Sequence, residues 1–414
     1  MTGNGDIEVL RGLARQYAEI AADPVQDERR RLWTRLNSLK PERPTVLASF
    51  GMHNVWCREV FADSTMQCED PFHIQYERLL RMGLFRADVG DDCIFEPWMT
   101  VQAVTAGGWR RMYGLEEETS GVTQEGGSWK FDPPIREWAD VEKLDPAPHR
   151  IDEEATARLA ERVEGIFADI LPVNVERGPA WSGFAADIST SLAGLRGLEQ
   201  VMIDMYESPD ELHRLLALMR NAVIEAQDAA EAAGDYGLTS QGNQAMTYCE
   251  ELEPPRANCR PRRREQLWNF CAAQEFALIS PQMHDEFLLQ YQLPIIEKFG
   301  LTAYGCCEDL TRKIDMLRQV PNLRSIAVTP SADVARCAEQ IGRDYVMSWR
   351  PNPTDMVCAS FDEERIRRII RSGMEASKGC TVTLHLKDVE TVQGEPDRLK
   401  RWVGIVRSIT DEYA

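Results

Sequence analysis

Cys306, Cys307, Glu308 and His385 are the residues of this chain best suited to chemistry by type. Thiolates joined by an imidazole or a carboxylate suit zinc, a borderline-soft ion. A catalytic zinc takes three protein ligands and keeps a fourth position open. Cys306 or Cys307, together with His385 and Glu308, could supply three, and Glu308 could instead donate a proton. The three neighbours close the apolar stretch GLTAYGCCEDL, Gly300 to Leu310. Adjacent residues of a strand point to opposite faces, so one cysteine faces inward if the strand runs through both. Spacing leaves alternatives open, because the sequence has neither a C-x-x-C pair nor an H-E-x-x-H helix. Spacing alone favours the two cysteines as small buried hydrophobes, and His385 reads equally well as a core histidine bonded to a carbonyl.

These residues need a scaffold that brings distant segments together. Short β-like runs recur at Thr45–Phe50, Asp92–Trp98, Ile170–Glu176, Tyr236–Gly242, Leu301–Cys306, Leu323–Thr329, Tyr345–Pro351 and Cys380–Leu386. Helical patterns lie between them, most clearly Ser208–Ala233, Pro281–Phe299, Ala332–Ile341, Phe361–Ala376 and Pro396–Ile409. Ser208 and Ser280 each precede a proline, an N-cap followed by a first-turn proline. Strands alternating with helices predict a parallel sheet, and eight such units predict a closed (β/α)8 TIM barrel; an open doubly wound sheet is the second choice. No strand leads into G-x-G-x-x-G or a P-loop. Residues 1–39 read as an N-terminal helical extension, 40–414 as one barrel domain, and the glycine-rich stretch 101–135 as an inserted flap.

Barrel active sites form at the C-terminal ends of the strands. Besides the first four residues, that rule selects Trp56, Glu96, Trp98, Gln241, Tyr248, Trp349 and Arg350 as substrate-binding candidates. The aromatic ones can sandwich a ring or simply fill the core.

Composition removes some function classes. The formal charge is −20, from 47 basic and 67 acidic residues, which opposes nucleic-acid binding. The single dense basic run, CRPRRREQLW, reads as a solvated loop or an anion-facing patch. No apolar run is long enough to span a membrane. The opening MTGNGDIEVLRGLARQY lacks the features of a signal peptide. With 11 cysteines, the expectation is a cytoplasmic protein with reduced thiols.

The segment SPQMHDEFLLQYQLPIIEKFGLTAYGCCEDLTRKI resembles the helix–strand segment of the uroporphyrinogen decarboxylase superfamily, and ISTSLAGLRGLEQVMIDMYESPDELHRLL resembles its middle segment. The likeness runs from about Leu36 onward and implies a (β/α)8 barrel. True decarboxylases of the superfamily carry an R-Q-A-G-R-type motif after the first strand; here the stretch is SFGMHNVWCREV, Ser49 to Val60, without that arginine pattern. The other branch comprises zinc-dependent, corrinoid-linked methyltransferases with an H-x-C pair at the fifth strand. That pair becomes Tyr304-Gly305-Cys306 here: the cysteine is kept and the histidine is not. WTRLNSLKPERPTV, DDCIFEPWM, YGCCEDL and SWRPNPTDM are most similar to the O-demethylase methyltransferases of anaerobes. The resemblance implies methyl transfer from a methoxylated, aromatic small molecule to a corrinoid. No D-x-H-x-x-G motif is present, so the corrinoid is expected on a separate protein. Zinc, with ligands among Cys306, Cys307 and His385, and Glu308 and His385 as catalytic groups, are further implications; such barrels commonly form dimers, so the resemblance leaves a homodimer open as one oligomeric state. The alternative is a decarboxylase or lyase acting on a small carboxylic acid, which Arg350 and Lys387 would hold.

Overall fold

The computed structural model describes residues 3–50, 59–105, 113–115, 118–120, 130–358 and 360–413. Its centre is a parallel six-stranded sheet in the order β1 (Thr45–Phe50), β10 (Thr381–Val389), β9 (Val346–Trp349), β8 (Leu323–Val328), β7 (Leu301–Tyr304), β6 (Trp268–Cys271). A separate parallel pair joins β2 (Met99–Gln102) to β5 (Val173–Glu176). The expected flap is present in part as an antiparallel hairpin, β3 (Glu118–Ser120) with β4 (Lys130–Asp132).

The expected eight strands are corrected in three respects. First, Tyr236–Gly242 is turns and irregular chain; the strand beyond it is β6, inside LWNFCAAQ. Gly242 still donates its N–H to the Trp268 carbonyl at 3.0 Å, and a Cβ there would stand 2.9 Å from the Phe270 nitrogen. The segment therefore presses against β6 without pairing along it. Second, residues 92–98 are not a strand, which begins only at Met99. Third, among the described residues the ring is not closed by continuous strand pairing.

Side chains do the joining at the two gaps. Along β1 the Asp92 carboxylate accepts from Val46 N at 2.8 Å, and Asp91 from Ala48 N at 2.9 Å. Beside β5, Asn258 accepts from Val175 N and donates to the Val173 carbonyl. Each bond satisfies a backbone group that an edge strand would otherwise leave open.

The N-terminal helices fall close to expectation, at Gly3–Ala21 and Val25–Asn37. Trp33 and Leu36 of the second are fully buried against Leu47, Val346 and residues 93–95. The Trp33 indole N–H donates to the Asp92 carbonyl at 2.7 Å, so this helix seals the sheet near the N-terminal end of β1. Removing a side chain of this size and burial costs about 3–5 kcal/mol. Ser280 caps its helix by accepting from Met283 N. Ser208 precedes a helix, Pro209–Ala233, but makes no side-chain cap. The helix expected over Pro281–Phe299 is interrupted by a π-turn at Asp285–Leu289 and ends at Ile296.

The sheet has two dressed faces. Tyr304, Ile326, Val328, Met347, Trp349, Leu384 and Leu386 pack with the surrounding helices. Trp268, Phe270, Leu301, Ala303 and Cys306 form a separate cluster on the opposite face, as the two-residue period of a strand requires. No helix among the described residues is long and apolar enough to cross a membrane.

Candidate functional site

β7 ends at Tyr304, and the chain then breaks out of extended geometry at Gly305, with φ +100°. A Cβ at that position would lie 2.7 Å from Leu310 Cδ1 and 2.9 Å from the Ala327 Cβ, so glycine is required on both steric counts. Beyond this kink the strand rule no longer applies. Cys306 and Cys307 bring their sulfurs to 3.5 Å of each other.

Two buried side chains fix the turn. Glu308 is fully buried, and its two oxygens accept from Ala273 N and Cys306 N, each at 2.8 Å. The Arg350 guanidinium donates to the Cys306 carbonyl and, at 3.4 Å, to that of Gly305. Glu308 also faces an acid pair, in which Asp187 and Glu275 share the Ser189 and Thr190 hydroxyls. Burial first, then the neighbouring Glu275, pushes Asp187 well above the usual carboxylate range.

The Cys306 sulfur collects donors. Gln244 Nε2 donates to it at 3.3 Å and Lys387 Nζ at 3.5 Å. Lys387 comes from β10 and also contacts both Asp388 oxygens, at 3.1 and 3.2 Å. The pair of thiols loses its first proton from Cys306. The hydrogen bond from Cys307 is the main cause, burial opposes it, and Lys387, Gln244 and Arg350 add to it, taking Cys306 down to about 6. The same hydrogen bond, then burial and the negative neighbour, push Cys307 up. Cys306 is thus a thiolate at neutral pH, with an ammonium group on it.

His385 is buried one step further down β10. Its Nε2 lies 2.6 Å from Ser49 Oγ, and its Nδ1 is buried without a partner. Burial first, then the charges of Arg350, Arg86 and Lys387, hold its pKa well below the ordinary imidazole value. It is therefore neutral.

The remaining expected residues scatter. Glu96 and Tyr248 bond to each other at 2.5 Å and to Arg30 of the second N-terminal helix. Trp98 is half-buried, in a turn where its N–H donates to the Glu96 carbonyl. Trp349 sits on the helix side of the sheet, its ring pressed so closely on Gly373 that a Cβ there would lie 2.0 Å away. Trp56 lies outside the described residues. Gln241 lines a cavity of about 320 Å³ together with Glu176, Trp181, Ser240, Asn243 and Phe270. Its Phe270 packs in the same cluster as Cys306, and its Asn243 directly precedes Gln244, whereas Cys306, Cys307 and Lys387 are not among its lining residues. Gln244 is the residue that sequence reasoning missed, and no local pattern marks it.

The zinc expected from the resemblance finds a partial donor set. Among the described residues, no three His, Cys, Asp or Glu side chains converge as a metal site would require. The two thiols do converge, but the Cys306 sulfur carries the Lys387 ammonium, both Glu308 oxygens hold backbone N–H groups, and His385 Nε2 holds Ser49. As arranged, these residues do not fit a three-ligand zinc.

No family model matches the sequence, and no curated protein matches it. Among solved structures, a methyltransferase from Methanosarcina mazei aligns over 93% of this chain and 99% of its own, with a TM-score of 0.47 and 12% identity.

Proposed function

We propose that this chain is an enzyme that moves a methyl group from a methoxylated aromatic small molecule to a corrinoid carried by a separate protein. The observation that carries the reading is the Cys306–Lys387 pair beyond β7 and on β10, at the strand ends where barrel enzymes place their chemistry. The resemblance of the same segment to corrinoid-linked methyltransferases supports it. A cavity that shares Phe270 with the Cys306 cluster, and is lined also by Trp181 and polar groups, is of a size for one substituted ring.

An aryl ether is a poor methyl donor because phenolate leaves reluctantly. The docked corrinoid supplies the nucleophile; the chain must assist the leaving oxygen. Lys387 suits that task. Its ammonium is held between Cys306 and Asp388 and is partly open to solvent. As the methyl carbon–oxygen bond breaks, its electron pair goes to the ether oxygen, which takes a proton from Lys387 Nζ. In this reading Glu308, expected as the acid, is a positioning residue, since both its oxygens are committed to the backbone. Neutral His385 and buried Arg350 shape the floor. The reading routes no step through zinc; elemental analysis of purified protein beside Cys306→Ala and Cys307→Ala tests whether the ion belongs to it.

The reading is tested by supplying methoxybenzenes and reduced free cobalamin and following methylcobalamin and phenol formation. Wild type should produce both in equal amounts, and Lys387→Met should lose most of the rate. A second reading, a lyase acting on a small carboxylic acid, is favoured by Arg350, whose buried Nε has no partner. Carbon dioxide release from small acids, with no methyl transfer from any methoxybenzene, would replace the first reading with the second.

A further inference from the structure

We propose that Cys306 and Cys307 form a bidentate covalent site for a trivalent, thiophilic electrophile of the organoarsenical class. Three observations carry it, none dependent on methyl transfer. The sulfurs are 3.5 Å apart, although neighbouring residues of a strand would send them to opposite faces. The kink at Gly305, closed to any side chain, is what turns them to one side. The backbone of Cys306 is fixed at both polar groups, its N–H by Glu308 and its carbonyl by Arg350. A pair held this way loses little freedom when both sulfurs bind one atom. Finally, Cys306 is buried at the floor and Cys307 is exposed, whereas every other described cysteine is buried or half-buried. An incoming electrophile meets Cys307 first and closes onto Cys306.

The number of donors decides the ligand class. A catalytic zinc needs three protein ligands, and the described residues do not converge in threes. A trivalent arsenical needs two sulfurs and brings its own third substituent. With phenylarsine oxide, the Cys307 S–H bond breaks, the Cys306 thiolate supplies its own electron pair, and two arsenic–sulfur bonds form. The oxide oxygen leaves as water, with the Cys307 proton and one proton from solvent, and no electrons are transferred to or from any co-reactant.

The experiment is titration of the reduced full chain with phenylarsine oxide, read by intact mass and by competition. Wild type should take one tight equivalent, released by a dithiol and not by a monothiol. Cys307→Ser and Cys306→Ser should each weaken binding by about a hundredfold, the advantage of an intramolecular second contact. Equal affinity in wild type and Cys307→Ser would overturn the proposal. So would a tight adduct that persists in the double variant, since it would then lie on other cysteines. Cys307 is exposed, so Cys307→Ser alone decides the matter if Cys306→Ser does not fold.

Discussion

The cluster of Arg30, Glu96 and Tyr248 and the cluster around Cys306 use the same kinds of residue to opposite ends. In the first, Arg30 donates to Tyr248, Asp27 and Glu96, and Tyr248 donates to Glu96. Every charged or hydroxyl group there is answered within the chain, and the result ties the second N-terminal helix to the irregular segments that carry Glu96 and Tyr248. In the second, Arg350 Nε, His385 Nδ1 and Gln244 Oε1 are buried without partners. Buried polar atoms cost free energy when unpaired. A fold that leaves several of them beside an ionised thiol retains unmet bonding capacity where a ligand can use it. Type and burial alone do not separate the two regions; the state of their hydrogen bonds does.

The largest expected effect comes from Glu308, which organises the reactive cluster yet is itself fully paired. Glu308→Ala leaves the buried N–H groups of Ala273 and Cys306 without acceptors. At about 1–3 kcal/mol for each orphaned group, urea unfolding should show a loss of about 4 kcal/mol. Glu308→Gln keeps one acceptor oxygen and should recover roughly half. If Glu308→Ala unfolds like wild type, the carboxylate is not the support described here, and its free proton chemistry would need to be reconsidered.

Gly305→Ala comes next. It combines a left-handed φ with contacts at 2.7 and 2.9 Å, which together cost about 2–3 kcal/mol. It also tests whether the kink holds the thiols together, because phenylarsine oxide affinity should fall with stability. A glycine substitution strained elsewhere, such as Gly197→Ala at φ +85° against Pro133, should keep that affinity.

How much of this was legible follows from what each inference needed. The helices with clear apolar spacing were readable because a surface helix must bury one stripe. The parallel α/β character followed from alternation. β6 was not readable: WNFC is four residues long, follows a basic run, and has no flanking turn signal, while Tyr236–Gly242 has both glycines and apolar residues but is held by contacts with β6. Cys306, Cys307 and Glu308 were visible by type, but the role of Glu308 depends on Ala273, 35 positions away. Gln244 reaches Cys306 across 62 positions from an irregular loop, and nothing local announces such a contact. Trp349 lies on the helix side of the sheet, and the sequence carries a sign of it. It precedes Arg350 directly, and neighbours at a strand end seldom share a face.

The titration of Cys306 sharpens the comparison from the reactive side. The ultraviolet absorbance of the thiolate, taken as wild type minus Cys306→Ser, should rise with a midpoint at about 6. The sign is that of a depressed acid. The thiolate dominates above about 6, and the thiol returns as pH falls through that value. The linked stability is fully present above the ordinary thiol value of 9.0 and is lost as pH falls through about 6. Lys387→Met removes a positive charge from the sulfur and should move the midpoint upward, lowering the ratio of thiolate to thiol at pH 6 by about tenfold, equivalent to about 1.4 kcal/mol. An unmoved midpoint would show that the ammonium does not act on Cys306.

The smallest effect belongs to the saturated cluster. Tyr248→Phe deletes one hydroxyl that both donates to Glu96 and accepts from Arg30. The two charged partners remain 3.4 Å apart and can take up the slack, so the loss should be about 1 kcal/mol in urea unfolding. The thiolate midpoint and the arsenical affinity should both stay at their wild-type values, because no hydrogen bond described here links Tyr248 to the Cys306 sulfur. A shift in either would mean that the N-terminal helix and the thiol pair are coupled through the chain between Met246 and Gln244, whose neighbour Asn37 holds the carbonyls of Met246 and Tyr248. In that event the two regions would be one device, with the helix setting how far Gln244 reaches toward the sulfur.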